Sequence, residues 1–393
     1  MTGIDSVLAS REMVLVAGSG GVGKTTVAAA MGIAAASRRG RKVLVLTVDP
    51  ARRLATALGL DDFGSDAVRI DADRLPPRTR GELWAAMLDT KAGWDELIRR
   101  HAPDAATREA VLANPLYQNI TRRFVHSHEY LAMEKLQELH ATGEFDVVIV
   151  DTPPSRHALS ILDAPARMRE FFGSRLLRWL TVPYRSRLFT FASRPFYQVA
   201  DRVLGSRFLQ DIADFFILFQ AMESGFVRRA RDVERLLADP RTAFVVVTTL
   251  ETAPSHEARY LVRELRRRDM AVGAVVANRV LPGELASEGA AASAEQLLAA
   301  VNDDTAANDD TAEPGLVAAI AERIGARQSA VAATLVRIGE RFDDIALVAG
   351  RELQRRRELA ELAPTIALPW LDDDVHDLDG LATLSARLRS PVD

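Results

Sequence analysis

The sequence predicts an α/β fold, a mainly parallel sheet with helices on both of its faces. Three observations carry that prediction. Short continuous apolar runs recur at residues 14–17, 42–48, 146–150, 244–248 and 272–277, the pattern of strands buried on both faces. Segments with helical spacing, such as 24–37 and 255–268, separate several of them. Strands that alternate with helices form parallel sheets joined by right-handed crossovers.

Taken in order, the run 14–17 stops at glycines and the Ala-rich helix 24–37 follows. The Val/Leu run 42–48 is the next strand, and 68–71 is a short third candidate. Helical spacing is read over 82–101 and 117–141, before the strand 146–150 that ends at Asp151. Two stretches interrupt the alternation. Residues 165–229 are long, helical in period and rich in Phe and Arg. Residues 283–314 are rich in Ala, Asp and Asn with little apolar periodicity, which predicts a mobile surface loop. Helix resumes over 316–362, and 365–368 is the last strand. The expected organisation is a core at 1–164, a helical insertion at 165–229, and core again at 230–282. A mobile acidic loop at 283–315 and a closing segment at 316–393 complete it.

The chain has 393 residues, 48% of them hydrophobic, enough for a sizeable core. Its formal net charge of -4 provides no global basic field, so nucleic acid is not an expected partner. There is no cysteine, which excludes disulfides and thiolate metal sites; zinc is not an expected cofactor. Residues 1–12 lack a basic stretch leading into an apolar run, and no apolar run reaches the ~20 residues of a spanning helix. The expectation is a cytoplasmic protein, or one peripheral to the inner face of a membrane.

Residues 18–26 read Gly-Ser-Gly-Gly-Val-Gly-Lys-Thr-Thr and fit the pattern G-x-x-x-x-G-K-[ST] in full. In such a loop Gly20, Gly21, Val22 and Gly23 present consecutive backbone N–H groups to phosphate oxygens. The following helix adds the partial positive charge of its N-terminus. Lys24 would neutralise the β- and γ-phosphates, the Thr25 hydroxyl would bind Mg²⁺, and Thr26 would reach the α-phosphate. The expected fold class is thus that of the P-loop NTPases. Asp151, at a strand end, stands where such enzymes hold the Mg²⁺ shell; a capping or turn aspartate is the alternative. Asp49 ends the run 42–48, and a carboxylate there would polarise an attacking water. The base-reading Asn/Thr-Lys-x-Asp of GTP-specific folds has no match at 248–251 or 277–280, so ATP is the expected substrate.

Five motifs in this order resemble one family. The loop at 18–26 is similar to a deviant Walker A loop. Thr47-Val48-Asp49-Pro50-Ala51 resembles a first switch, and Asp151-Thr152-Pro153-Pro154-Ser155-Arg156-His157 a second. Val276-Ala277-Asn278-Arg279 resembles an adenine-reading segment, and Leu368-Pro369-Trp370-Leu371 an adenine loop. The chain thereby resembles the arsenical-pump and tail-anchored-protein targeting ATPases, in particular actinobacterial members of the anion-transporting ATPase type. The resemblance implies that Asp49 orients the hydrolytic water beside Lys24, and that Asp151 holds Mg²⁺ through water. It implies that Pro50 belongs to a first switch, and Pro153, Pro154 and His157 to a second that changes shape when the γ-phosphate leaves. Asn278 would hydrogen-bond adenine and Pro369 would pack on it. The family works as dimers, so the implied partner is a second copy or a paralogous ATPase.

Three departures qualify this. Ser19 stands where the family keeps a signature lysine that reaches the facing protomer's nucleotide. The cysteines that bind zinc between protomers are absent, and so are those that bind arsenite. Two readings follow. One is an ATPase, slow in isolation, that couples nucleotide state to a partner or an apolar or membrane client other than arsenite. The other is a weakly catalytic, nucleotide-sensing subunit of a hetero-oligomer with a lysine-bearing paralogue. A membrane- or chromosome-positioning ATPase is a third class, against which the Phe-rich insertion argues. For residues 165–229 three roles stay open: a self-filling helical subdomain, a client groove, or a basic amphipathic element on a membrane surface. His126 and His128 lie on different helix faces and complete no metal site. Asp372-Asp373-Asp374 reads as a solvated loop, and Arg355-Arg356-Arg357 as a solvated helix face.

Overall fold

Among the described residues, eight strands form one sheet in the order β3-β4-β2-β5-β1-β6-β7-β8. They are β1 Met13–Ala17, β2 Lys42–Thr47, β3 Val68–Arg69, β4 Glu82–Met87, β5 Val147–Asp151, β6 Thr242–Thr248, β7 Val272–Val280 and β8 Thr365–Pro369. Every pair is parallel except β3 with β4. The computed structural model describes residues 3–48, 53–60, 66–77, 79–114, 117–118, 127–152, 163, 166, 170, 223–306, 315–371 and 373–388. The Phe/Arg-rich stretch lies almost wholly outside them, as do Asp49, Pro50, Pro153, Pro154, Arg156, His157, His126 and Asp372.

Side-chain alternation along each strand feeds two cores. Met13, Leu15, Leu44, Leu46, Val148 and Phe244 face one side of the sheet. Val14, Val16, Val43, Val45, Ile149 and Val245 face the other. Every residue of β1, β5 and β6 is buried, as a parallel sheet covered on both faces requires.

Helices are numbered among the described residues. On the second face lie α1 (Gly3–Ser10), α2 (Lys24–Arg39) and α3 (Arg53–Leu58). The first face is covered by α4 (Thr90–His101), α5 (Ala105–Ala113), α6 (Ser127–Thr142), α7 (Glu223–Ala238) and α8 (Thr252–Arg267). The rest are α9 (Glu288–Ala306), α10 (Leu316–Ile324), α11 (Gln328–Ala360) and α12 (Leu378–Arg387), the last also on the second face. The α2 helix lies close on the sheet because Gly32 carries no side chain. A Cβ there would stand 2.5 Å from a Val45 methyl. Among the described residues no helix is long and apolar enough to cross a membrane.

Several sequence expectations change. The segment 82–101 is not one helix. Its first six residues form β4, with Leu83 and Ala85 fully buried, and Asp89 then caps α4 by accepting from Ala92 N. The segment 283–315 is not a loop throughout. A short 3₁₀ turn leads into α9, whose Leu297 and Val301 pack with Val317, Ala321 and Val331 of α10 and α11. The predicted helix 316–362 is two helices, divided at Gly325, which takes a left-handed conformation and ends α10. Arg355 is not on a solvated face; it donates to Leu250 O at 2.7 Å and to Thr252 Oγ1 at 2.8 Å, tying α11 to the start of α8.

Candidate functional site

The loop at 18–26 leaves the carboxyl end of β1, between β5 and β6. From β1 the sheet grows one way through β5, β2 and β4 and the other way through β6, β7 and β8. Open α/β sheets bind ligands at such a switch point, outside the carboxyl ends of the strands.

Two glycines set the path of the loop. At Gly18 a Cβ would stand 2.1 Å from Val247 O, so only a bare backbone passes β6. Gly23 has φ 93°, and a Cβ there would stand 2.4 Å from Asn278 Nδ2. Gly23 is also the N-cap of α2, so the helix N-terminus opens directly onto the loop. Lys24 is 6% exposed, and its ammonium donates to Ser19 O at 2.8 Å, folded back across the loop.

Asp151, fully buried at the end of β5, joins three elements. One carboxylate oxygen accepts from Thr25 Oγ1 of α2 at 2.7 Å and from Thr47 Oγ1 of β2 at 3.0 Å. Its own backbone carbonyl accepts from Val48 N at 3.1 Å. The next residue, Thr152, donates its hydroxyl to Val16 O at 2.9 Å and fixes β5 against β1. Thr47 and Thr152 stand within the two switch-like motifs, but sequence reading gave neither a role of its own. Each is a hydroxyl within two residues of an acidic switch position, which was the available signal.

A hydroxyl and a carboxylate brought together at the mouth of a phosphate loop are hard oxygen donors. They fit Mg²⁺, which takes one or two protein ligands and keeps waters and phosphates for the rest. Among the described residues no group of three or more His, Asp and Glu stands ready to hold a metal alone.

Asn278 is 9% exposed near the end of β7 and donates Nδ2 to Val22 O at 2.9 Å. Arg279 follows with φ 58°, and pairing with β8 shifts there before Val280 meets Pro369. Trp370 N donates to Val280 O at 2.9 Å, and the Trp370 ring is 63% exposed beside Pro369. Sequence reasoning named Asn278 and Pro369; the structure joins both segments to the same corner of the sheet.

A separate cavity of about 660 Å³ opens between α4, α6 and α7, lined by Asp89, Glu96, His101, Lys135 and Arg229 among others. It contains none of the phosphate-loop residues. Its wall holds a buried ion pair, Arg229 Nε to Glu134 Oε1 at 2.9 Å. Burial, and then Arg229, Arg100 and Arg228, push His101 down to about 4.

Comparison with known proteins agrees with the geometry. The family model described as Anion-transporting ATPase matches residues 11–296. The chain is 26% identical over 273 residues to the "ATPase GET3" of Malassezia globosa, covering 69% of this chain and 73% of that one. It is 29% identical over 269 residues to an uncharacterized Streptomyces coelicolor protein, covering 68% and 62%. It is 26% identical over 291 residues to the "Putative arsenical pump-driving ATPase 1" of Aquifex aeolicus, covering 70% and 64%.

Proposed function

Since this chain belongs to the anion-transporting ATPase family and is an ATPase of that family, we propose that it works as a dimer whose ATP cycle drives a partner or an apolar client. The observation that carries the site is the Thr25–Asp151 hydrogen bond at 2.7 Å. It unites the loop hydroxyl with a strand-end carboxylate, the donor set that Mg²⁺·ATP requires.

In this reading the loop amides and the α2 N-terminus bind the phosphates, and Lys24 leaves Ser19 O to meet the β- and γ-phosphates. Thr25 and Asp151 hold Mg²⁺, the latter through water. The bound ion would neutralise phosphate charge. Asp49 orients the attacking water, and Pro50, Pro153, Pro154 and His157 belong to the segments that respond when the γ-phosphate leaves. Asn278 and Pro369 receive adenine. The chain has no cysteine, so arsenite, a thiophile, is not its cargo. Its place of work is the cytoplasm or the inner face of a membrane.

Ser19 favours a second reading. Its side chain is short and the residue is half-buried, so it does not reach a facing protomer as a lysine would. Loss of a cationic contact to the transition state costs on the order of 10³–10⁵ in rate in comparable phosphoryl-transfer sites. The chain would then be a weakly catalytic subunit that pairs with a lysine-bearing paralogue.

Turnover and light-scattering mass, measured with and without ATP and any co-purifying partner, separate the two. A homodimer with rapid turnover alone supports the first reading and sinks the second. A monomer in every nucleotide state, with no partner recovered, contradicts both.

A further inference from the structure

We propose that Asn278 is a positioning residue for the phosphate cradle: it acts on the phosphates through the Val22 carbonyl, in addition to any contact with the base. The inference rests on the reading that residues 18–26 bind the nucleotide phosphates.

The Asn278 amide donates to Val22 O at 2.9 Å in a buried setting. Val22 is itself 1% exposed, so this carbonyl has little access to water as a substitute donor. The Val22–Gly23 peptide is planar and trans, with its C=O and the Gly23 N–H antiparallel. Holding the carbonyl toward Asn278 therefore turns the Gly23 N–H the opposite way. That N–H immediately precedes Lys24 and belongs to the run of amides that cradles phosphate in such loops. One side-chain hydrogen bond thus sets the direction of a phosphate-binding donor.

The surrounding backbone is bent to deliver this bond. Arg279 is one of two described non-glycine residues with positive φ, at 58°. Left-handed backbone at a non-glycine residue is unfavourable and persists where surrounding structure over-determines it. Here it coincides with the register shift between Ala277 and Val280 against β8. Such a bulge re-aims a side chain within a strand. It leaves Asn278 buried against the loop and Arg279 exposed, while Val280 resumes pairing with Pro369. Gly23 closes the arrangement, because any side chain there would strike Asn278 Nδ2. The segment that would receive the base and the loop that would receive the phosphates are therefore mechanically joined through one amide.

A base-free ligand isolates the effect. Calorimetry would measure Mg²⁺·ATP and Mg²⁺·tripolyphosphate binding to the wild type, Asn278→Asp and Asn278→Ala. Amide hydrogen exchange of residues 18–26 would be followed in the ligand-free proteins. Asn278→Asp keeps the shape but turns an acceptor toward an acceptor. The expected result is a loss of about tenfold or more in affinity for both ligands, and faster exchange in the loop, at an unchanged global melting temperature. Asn278→Ala provides the same readings if the aspartate variant does not fold. Reduced ATP affinity with unchanged tripolyphosphate affinity and unchanged loop exchange overturns the inference and leaves Asn278 as a base contact alone. A wild type that binds neither ligand overturns the phosphate-site reading itself, and this inference with it.

Discussion

Two buried carboxylates are held in different ways in this molecule. Glu134 of α6 meets the guanidinium of Arg229 of α7 at 2.9 Å, with both side chains 8% exposed. Asp151 of β5 is fully buried and is held by the hydroxyls of Thr25 and Thr47. An ion pair cancels its own charge and ties two helices together. The hydroxyls of Thr25 and Thr47 orient the Asp151 carboxylate at the mouth of the phosphate loop, which suits a site that receives a hydrated cation. The difference teaches that burial alone does not mark function. What surrounds the buried charge does.

The comparison breaks most sharply at the ion pair. Glu134→Ala leaves Arg229 buried without its principal countercharge and is expected to destabilise the fold by about 3–5 kcal/mol. Glu134→Leu combined with Arg229→Met is expected to recover most of that loss, because both charges leave together. Chemical denaturation of the three variants measures it, and ATP affinity at a temperature where all are folded should stay near wild type. A Glu134→Ala protein that is as stable as wild type, or that is stable but has lost ATP, breaks the distinction.

At the other carboxylate the order of effects reverses. Asp151→Asn keeps the shape and can still accept from one hydroxyl, so it is expected to cost stability less than Glu134→Ala does. It is expected to lower ATP turnover by about 10²–10³, the scale of losing one aligned electrostatic group. The Mg²⁺ concentration needed for half-maximal turnover should rise. Steady-state assays across a Mg²⁺ series decide this.

The smallest effect lies beside the ion pair. His101 is held down at about 4 by burial and by the guanidinium groups of Arg229, Arg100 and Arg228, below its ordinary 6.5. Between those values the unfolded chain binds a proton that the folded chain excludes. Stability is therefore complete above pH 6.5 and falls as the pH drops toward 4. Solvent screens this half-exposed ring, so the loss is on the order of 1 kcal/mol. His101→Gln should flatten the pH dependence of the melting temperature in that window. An unchanged slope would remove His101 from the account.

Much of this was legible in the sequence, for physical reasons. β1, β2, β5, β6 and β7 announce themselves because strands buried on both faces must be continuously apolar. β4 hides because it opens on Glu82, whose carboxylate pairs with Arg69 and accepts from Trp84 Nε1 at the sheet edge. α9 hides because Ala dominates its surface and its apolar stripe is short. It relies on Gly339 of α11, where a Cβ would stand 2.8 Å from Leu298. Within the site, Gly18, Lys24 and Thr25 were legible because a phosphate loop is local in sequence, and Asp151 because it closes an apolar run. The Thr47–Asp151 and Asn278–Val22 bonds join residues 104 and 256 positions apart. Only sheet order brings those pairs together.

The central claim is that the loop at 18–26, completed by Asp151, is where this chain binds and hydrolyses ATP. Single-turnover hydrolysis of radiolabelled ATP by the wild type and by Lys24→Ala tests it most directly. The account predicts phosphate release by the wild type and a rate at least about 10²-fold lower in the variant, at a similar melting temperature. A Lys24→Ala protein that releases phosphate as fast as the wild type would contradict it.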